Sequence, residues 1–215
     1  TKMKTFITEA AGFLGQLEKN NERAWFKDHK SEFDGCIKIP AELFCDEVAH
    51  GLSQIAGHEV SGKVFRQHRD VRFSKDKTPY NTHLHVGFFG SGGNTKPGYF
   101  FGLYSDNIVV GGGCMGFEKQ ALVNYRERIA GPDGADLAKL LTGYQKKGWR
   151  LDKPELKRVP SGFDKDHEQG ALLRRKGLAL WRDFDDVTAK QWQTPAKTTL
   201  KFHKELKPLM EWLND

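Results

Sequence analysis

The sequence predicts an α+β fold, an antiparallel sheet of about four or more strands covered by helices from both ends of the chain. Three observations predict it. Apolar residues in the first third recur at helical spacing. From Lys63 the period drops to two through four successive segments with no helical stretch between them. Helical spacing then resumes at Ala121 and again near the C-terminus.

Each element follows in order. Phe6, Phe13, Leu14 and Leu17, then Trp25, Phe26 and Phe33, then Ile39, Leu43, Phe44, Val48 and Leu52 mark three helices. Asn20 and Asn21 fall where asparagine can end one helix and cap the next, and Pro40 sits where an early helical turn tolerates it. The alternating segments near 63–73, 83–89, 99–105 and 107–112 read as strands. Asp106-Asn107 predicts a tight hairpin turn between the last two, because both residue types accept positive φ. Residues 90–98, GSGGNTKPG, read as an exposed loop. ALVNYRERI and ADLAKLLTGY read as helices broken at Pro132-Asp133-Gly134. LKRVPSGFDKDHE is too polar and turn-rich for a regular element and reads as an ordered loop, whereas GLALWRDF fits a strand or a short helix. The last segment ends in a helix with Phe202, Leu206, Leu209, Met210 and Leu213 on one side.

A chain of 215 residues with 38% hydrophobic content can bury one sizeable core, so residues 1–215 read as a single domain. Cys36, Cys45 and Cys114 are odd in number and lack C-x-x-C spacing, which points away from a disulfide framework and towards a reducing cytoplasm. No apolar run approaches a membrane span, and the first residues lack the pattern of a secretory signal. The net charge of +6 favours anionic partners. The positive residues are dispersed, however, without the like-charge block that marks a nucleic-acid tail.

Charge concentrates in RQHRDVRFSKDKTPYN, residues 66–81. A strand running through Phe73 places Arg69 in phase with Phe65, Val71 and Phe73, which predicts a buried arginine paired with a carboxylate. Arg66, His68, Asp70 and Arg72 take the other face. Beyond them, Ser74, Lys75, Lys77 and Tyr80 supply donors around a proline-fixed turn, a set suited to a phosphate or carboxylate. The same charges also suit a purely structural ion-pair network.

Weaker signals compete with plain alternatives. Gly111, Gly113 and Gly116 satisfy G-x-G-x-x-G, but the strand before them reads as part of a hairpin, so tight packing is the simpler account. His83 and His85 share a strand face and, with His68 or Asp70, approach a metal-ligand set without completing one; polar positions on a half-buried sheet explain them better, and no metal is assigned. Asp166 and His167 are adjacent in sequence, which does not establish a catalytic pair. Ser74 lacks a nucleophile elbow.

RDVRFSKDKTPYNTHL, together with NNERAWFKDHKSEF, GGG and LKRVPSGFDKDHEQGALLRRKGL, resembles the uncharacterised protein family known as domain of unknown function 2461. The family-like positions are Asn21, Trp25 and Phe26; Arg69, Asp70, Arg72, Phe73, Ser74, Lys75, Asp76, Lys77, Pro79 and Tyr80; and Lys157, Arg158, Pro160, Gly162, Asp166, His167 and Lys176. The resemblance brings no established activity, hence no catalytic roles and no cofactor. It does imply that the central stretch and the later segment belong to one pattern, and so to one shared site. The resulting ligand-binding expectation comprises Arg69, Asp70, Arg72, Ser74, Lys75, Lys77 and Tyr80 with Lys157, Arg158 and His167. Its ligand is a small anion. A nucleic acid bound by the same basic residues is the less favoured partner, and a structural protein without a ligand is the third reading.

Overall fold

The computed structural model describes residues 2–91 and 96–215, so residues 92–95 of the expected exposed loop lie outside the described residues. The fold class is the one expected, with a six-stranded antiparallel sheet in the order β1-β2-β3-β4-β6-β5 and helices at both ends of the chain. The strands are β1 (Ser61–Val64), β2 (Leu84–Phe89), β3 (Gly98–Leu103), β4 (Ile108–Cys114), β5 (Arg150–Leu151) and β6 (Leu178–Phe184). GLALWRDF is therefore strand β6. It pairs with the short β5, which a two-residue segment gave no periodicity to reveal.

Contacts divide the chain into two interleaved compact units, each drawn from three segments. Unit 1 comprises Thr1–Phe88, Phe100–Val110 and Asp183–Glu205. Its α1 (Lys2–Lys19) buries the apolar stripe that predicted it, whereas α4 (Ile39–Ala56) buries Phe44, Val48 and Leu52 of its stripe and leaves Ile39 and Leu43 exposed. Phe44 is set 5.9 Å from Phe6 and 4.6 Å from Phe101, centroid to centroid. The expected second helix is two short pieces, α2 (Arg23–Asp28) and α3 (Lys30–Phe33), which continue through a π-helical turn at Asp34–Lys38 into α4. Pro40 lies in the first turn of α4, directly after the π-helical turn, so its missing N–H falls where the helical bonding pattern changes. Asn21 does not cap α2, because its side chain is engaged with Tyr80, as described below.

Two strand expectations need correction. The first strand stops at Val64 rather than running to Phe73, and Phe73 is 95% exposed instead of facing a core. A strand persists only while a partner lies beside it, and beyond Arg69 the chain turns through residues 70–78, leaving nothing to pair with. The β3–β4 turn is also shifted by one residue. Tyr104 N–H donates to Asn107 O (2.9 Å), so Ser105 and Asp106 occupy the turn, and no described non-glycine residue has positive φ.

Unit 2 comprises Phe89–Tyr99, Gly111–Arg182 and Leu206–Asp215. It contains α5 (Lys119–Ala130), α6 (Pro132–Lys146), α7 (Gly170–Leu173) and α9 (Lys207–Asn214), while α8 (Pro195–Glu205) lies in unit 1. The C-terminal segment thus folds as two helices, with Pro208 in the first turn of the second. Pro132 likewise starts α6 rather than preceding it. Gly113 adopts φ +133°, and a Cβ there would collide with the Leu178 backbone of β6. The glycines of β4 therefore admit β6, and β4 lies between β3 and β6 in an antiparallel sheet, which removes the βαβ setting a dinucleotide loop needs. No described helix is long and apolar enough to cross a membrane.

Candidate anion-binding cleft

The charged stretch lies wholly in unit 1 and extends the β1–β2 pair as an irregular ribbon. Phe65 N–H donates to His85 O (2.9 Å), Asn81 N–H to Gln67 O (2.7 Å) and Arg69 N–H to Pro79 O (2.9 Å), and His68 and Tyr80 form an isolated bridge. Pro79 has no N–H to return, so a regular ladder cannot form here. Side chains supply the missing stitches. Gln67, 6% exposed, donates through Nε2 to Asn81 O and to His83 O (3.0 Å), and Asn81 Nδ2 donates to Arg66 O (3.3 Å).

Tyr80 is anchored inward. Its ring stacks on Phe26 at 4.1 Å, and Asn21 clamps its backbone, donating from Nδ2 to Tyr80 O (2.9 Å) and accepting Tyr80 N–H at Oδ1 (3.1 Å). Asn21 and Phe26, both positions of the family resemblance, thus act on the end of the charged stretch.

The loop at the ribbon's tip is wired by its own charges. Arg69 donates to Asp76 Oδ2 (2.9 Å), Thr78 O (2.9 Å), Thr78 Oγ1 (2.6 Å) and, at the limit, Ser74 Oγ (3.5 Å). Arg72 forks onto Asp70 through Nε (2.9 Å) and Nη2 (2.7 Å). Lys77 Nζ reaches Val71 O (2.8 Å) and Arg72 O (3.4 Å). Arg69 has its carboxylate, yet its side chain keeps 24% exposure and Asp76 keeps 62%, so the pair is not a core pair. The Arg72 side chain, and then its backbone N–H, hold the Asp70 carboxyl below its ordinary value, with the Arg66 charge adding to the effect. The Thr78 backbone N–H and hydroxyl lower Asp76 in the same way, helped by Arg69.

Beside this loop, unit 1 has a cleft of about 370 Å³. Arg66, His68, Arg69 and Asp70 line it from one segment, Asn81, His83 and His85 from the facing one, and Phe65 completes it. The two histidines stack at 3.7 Å, and His85 Nε2 lies 2.9 Å from the Tyr104 hydroxyl. Burial lowers the His83 pKa, and burial together with neighbouring His83 pushes His85 down to about 4. Both rings are therefore neutral hydrogen-bonding groups near pH 7. Among the described residues no group of three or more His, Cys, Asp or Glu is placed to hold a metal ion.

Of the expected site residues, Arg69 and Asp70 line this cleft; Arg72, Ser74, Lys75, Lys77 and Tyr80 do not. Arg66, His68, Asn81, His83 and His85 do, although the ligand-binding expectation omitted them. Laying the two segments as a hairpin brings them near one another, but alternation does not pick them out. In the register of Gln67 with Asn81, His68 with Tyr80 and Arg69 with Pro79, Asn81 and His83 lie opposite odd-numbered positions, so the irregular ribbon and not a common strand phase gathers them with Arg66, His68 and Asp70.

The later group belongs to unit 2. Lys157 and Arg158 are exposed on the irregular segment that precedes α7. His167 Nδ1 accepts the Gln169 N–H (2.9 Å), which leaves its Nε2 to donate towards Ala130 O (3.3 Å). Asp166 instead lies 4.0 Å from Lys165 Nζ, and Asp164 accepts the Asp166 N–H. With both ring nitrogens turned to the backbone, His167 has the bonding of a loop brace, which does not favour a base paired with Asp166.

None of the curated proteins compared matches the chain. The family model described as "Conserved hypothetical protein (DUF2461)" matches residues 9–212, which span both the ribbon that forms the cleft and the later charged segment. The chain belongs to the DUF2461 family.

Proposed function

We propose that the protein binds a small phosphate- or carboxylate-bearing anion in the unit 1 cleft. The carrying observation is which charges are already committed. Arg69 is taken by Asp76 and Arg72 by Asp70, whereas Arg66 lines the cleft with no ion pair among the described residues. Its guanidinium can fork onto two oxygens of one anionic head. Neutral His83 and His85 and the Asn81 amide add donors without adding charge, and Asp70 opposes a second negative group. One cation without an ion pair in a small open cleft supports a compact anion over a long polyanion, which wants a stripe.

The interleaving of the two units supports reading residues 1–215 as one domain. Cys36, Cys45 and Cys114, none of them in a disulfide, support a reducing cytoplasm as its compartment.

The test is thermal shift and calorimetry of the full chain with inorganic phosphate, acetate and a set of phosphorylated metabolites. The parent should gain stability with at least one anion, Arg66→Ala should lose that gain, and Lys75→Ala, outside the cleft, should keep it. Raising salt should weaken binding only shallowly, because few counterions are released. If no anion stabilises the parent more than Arg66→Ala, the charged ribbon is a structural network and the site reading fails.

A further inference from the structure

A single apolar side chain on a protein surface is ordinary and needs no explanation. Phe73 differs in its frame. It is 95% exposed at the tip of a loop whose shape is held by the loop's own side chains. Arg69 ties Asp76 and Thr78 across the base, Lys77 reaches back to the carbonyls of Val71 and Arg72 just before the tip, and Ser74 N–H donates to Val71 O (3.3 Å). The ring is thus presented by a preorganised scaffold, which limits the entropy lost when something settles on it. Its surroundings are cationic. The Arg72 guanidinium lies 5.8 Å from the ring centroid, with its side chain 76% exposed, and Lys75 is exposed with no ion pair among the described residues.

From this arrangement we infer that the 70–78 loop is a contact point for single-stranded nucleic acid, one base stacking on Phe73 while Lys75 and Lys77, which no acid of the described residues pairs with, meet the flanking phosphates. An exposed ring beside cations has the two parts that strand binding without sequence preference uses, a π face that every base matches and positive charge along the backbone. An anionic membrane is the weaker match, since one phenyl ring offers little apolar area to insert. The loop tip is distinct from the cleft, because Arg72, Phe73, Lys75 and Lys77 do not line it. The inference therefore stands or falls separately from small-anion binding.

The experiment is fluorescence anisotropy of labelled 15-nucleotide dT and rU strands titrated with the full chain, repeated across salt concentrations and with a duplex of equal length. The parent should bind the single strands more tightly than the duplex. With two phosphate contacts, log affinity should fall with log salt at a slope of about −1.4, at about 0.7 per contact. Phe73→Ala should weaken binding about tenfold, within the range of one lost base stack. Lys75→Ala should flatten the slope by about 0.7. Arg66→Ala should leave strand binding unchanged while abolishing the phosphate response of the cleft. Absence of strand binding at low salt overturns the inference, as does binding to which Phe73→Ala is indifferent. It is also overturned if Phe73-dependent retention is seen on vesicles of anionic phospholipid and not on the oligonucleotides.

Discussion

Two segments of this chain, residues 66–81 in unit 1 and 152–169 in unit 2, are both rich in charge and poor in regular structure, yet they are held by opposite means. In the first, charged side chains bond one another and fold the loop around themselves, as Arg72 does with Asp70 and Arg69 with Asp76. In the second, the one close ion pair among the described residues sits at the edge, Arg150 with Asp152 (2.8 Å), and the other anchors run from side chain to backbone. Arg175 donates to Asp152 O (2.7 Å), Glu155 accepts Lys176 N–H (2.8 Å), and His167 is fixed between Gln169 and Ala130. Lys157 and Arg158 stay exposed outside that wiring. Charge density in sequence thus says that a segment is polar, but not whether its charges form the frame or stand outside it.

Substitutions sharpen this contrast, beginning with the largest expected effect. Gln67 is the buried amide that stitches the ribbon's two segments, and Gln67→Ala leaves the carbonyls of Asn81 and His83 without their donor. A loss of about 1 to 2 kcal/mol in chemical denaturation is expected from two under-satisfied half-buried acceptors. An unchanged stability would mean that the ribbon is held by its ring contacts alone. Arg69→Met comes next, at about 1 to 2 kcal/mol, for the lost bonds to the Thr78 carbonyl and hydroxyl. A fully buried pair would lose about 3 to 5 kcal/mol, but here the stranded acid is exposed to water. Hydrogen exchange should speed up in residues 70–78 in this variant and not in 152–169.

The second segment should respond through its anchors and not through its charges. Tyr125, 4% exposed, donates its hydroxyl to Leu172 O (2.9 Å) in α7, the helix that ends the segment. Tyr125→Phe should cost about 1 kcal/mol, whereas Arg158→Ala should stay within about 0.5 kcal/mol of the parent. A larger loss in Arg158→Ala than in Tyr125→Phe would erase the contrast between the segments.

How much of this was legible follows from what each signal can carry. The helices were readable because Phe6, Phe13, Leu14 and Leu17, or Phe44, Val48 and Leu52, repeat at the helical period and are all buried. The strands were readable where both neighbours exist, as in β2 to β4. The error fell at 65–73, where alternation continued after the partner strand had ended, so Phe73 was assigned to a core that does not reach it. Periodicity reports one chain's preference, whereas pairing needs a second segment. The cleft was half legible for the same reason. Arg69 and Asp70 were found by their charge, but His83 and His85 gain their place only from lying across the hairpin. No reading of residue 67 alone foretells that Gln67 stitches two backbones together.

The smallest effect concerns protons and separates the loop's two acids from each other. Asp70 and Asp76 both have folded pKa values below 3.8, so each contributes stability that is present above the unfolded value and is lost as pH falls through the folded one. Residues 70–78 should therefore keep their exchange protection, relative to the rest of unit 1, from pH 7 to pH 5 and lose it only below about pH 4, where carboxylates take up protons. The two acids are held by different groups. Arg72 is the leading cause for Asp70, whereas the Thr78 backbone and hydroxyl lead for Asp76. In a carboxyl-carbon NMR titration, Arg72→Ala should let the Asp70 midpoint rise towards 3.8 and leave Asp76 in place, and Thr78→Val should raise Asp76 alone. If both midpoints move together in either variant, the loop is one coupled network instead of two independent clasps, and its contrast with the backbone-anchored segment becomes stronger still.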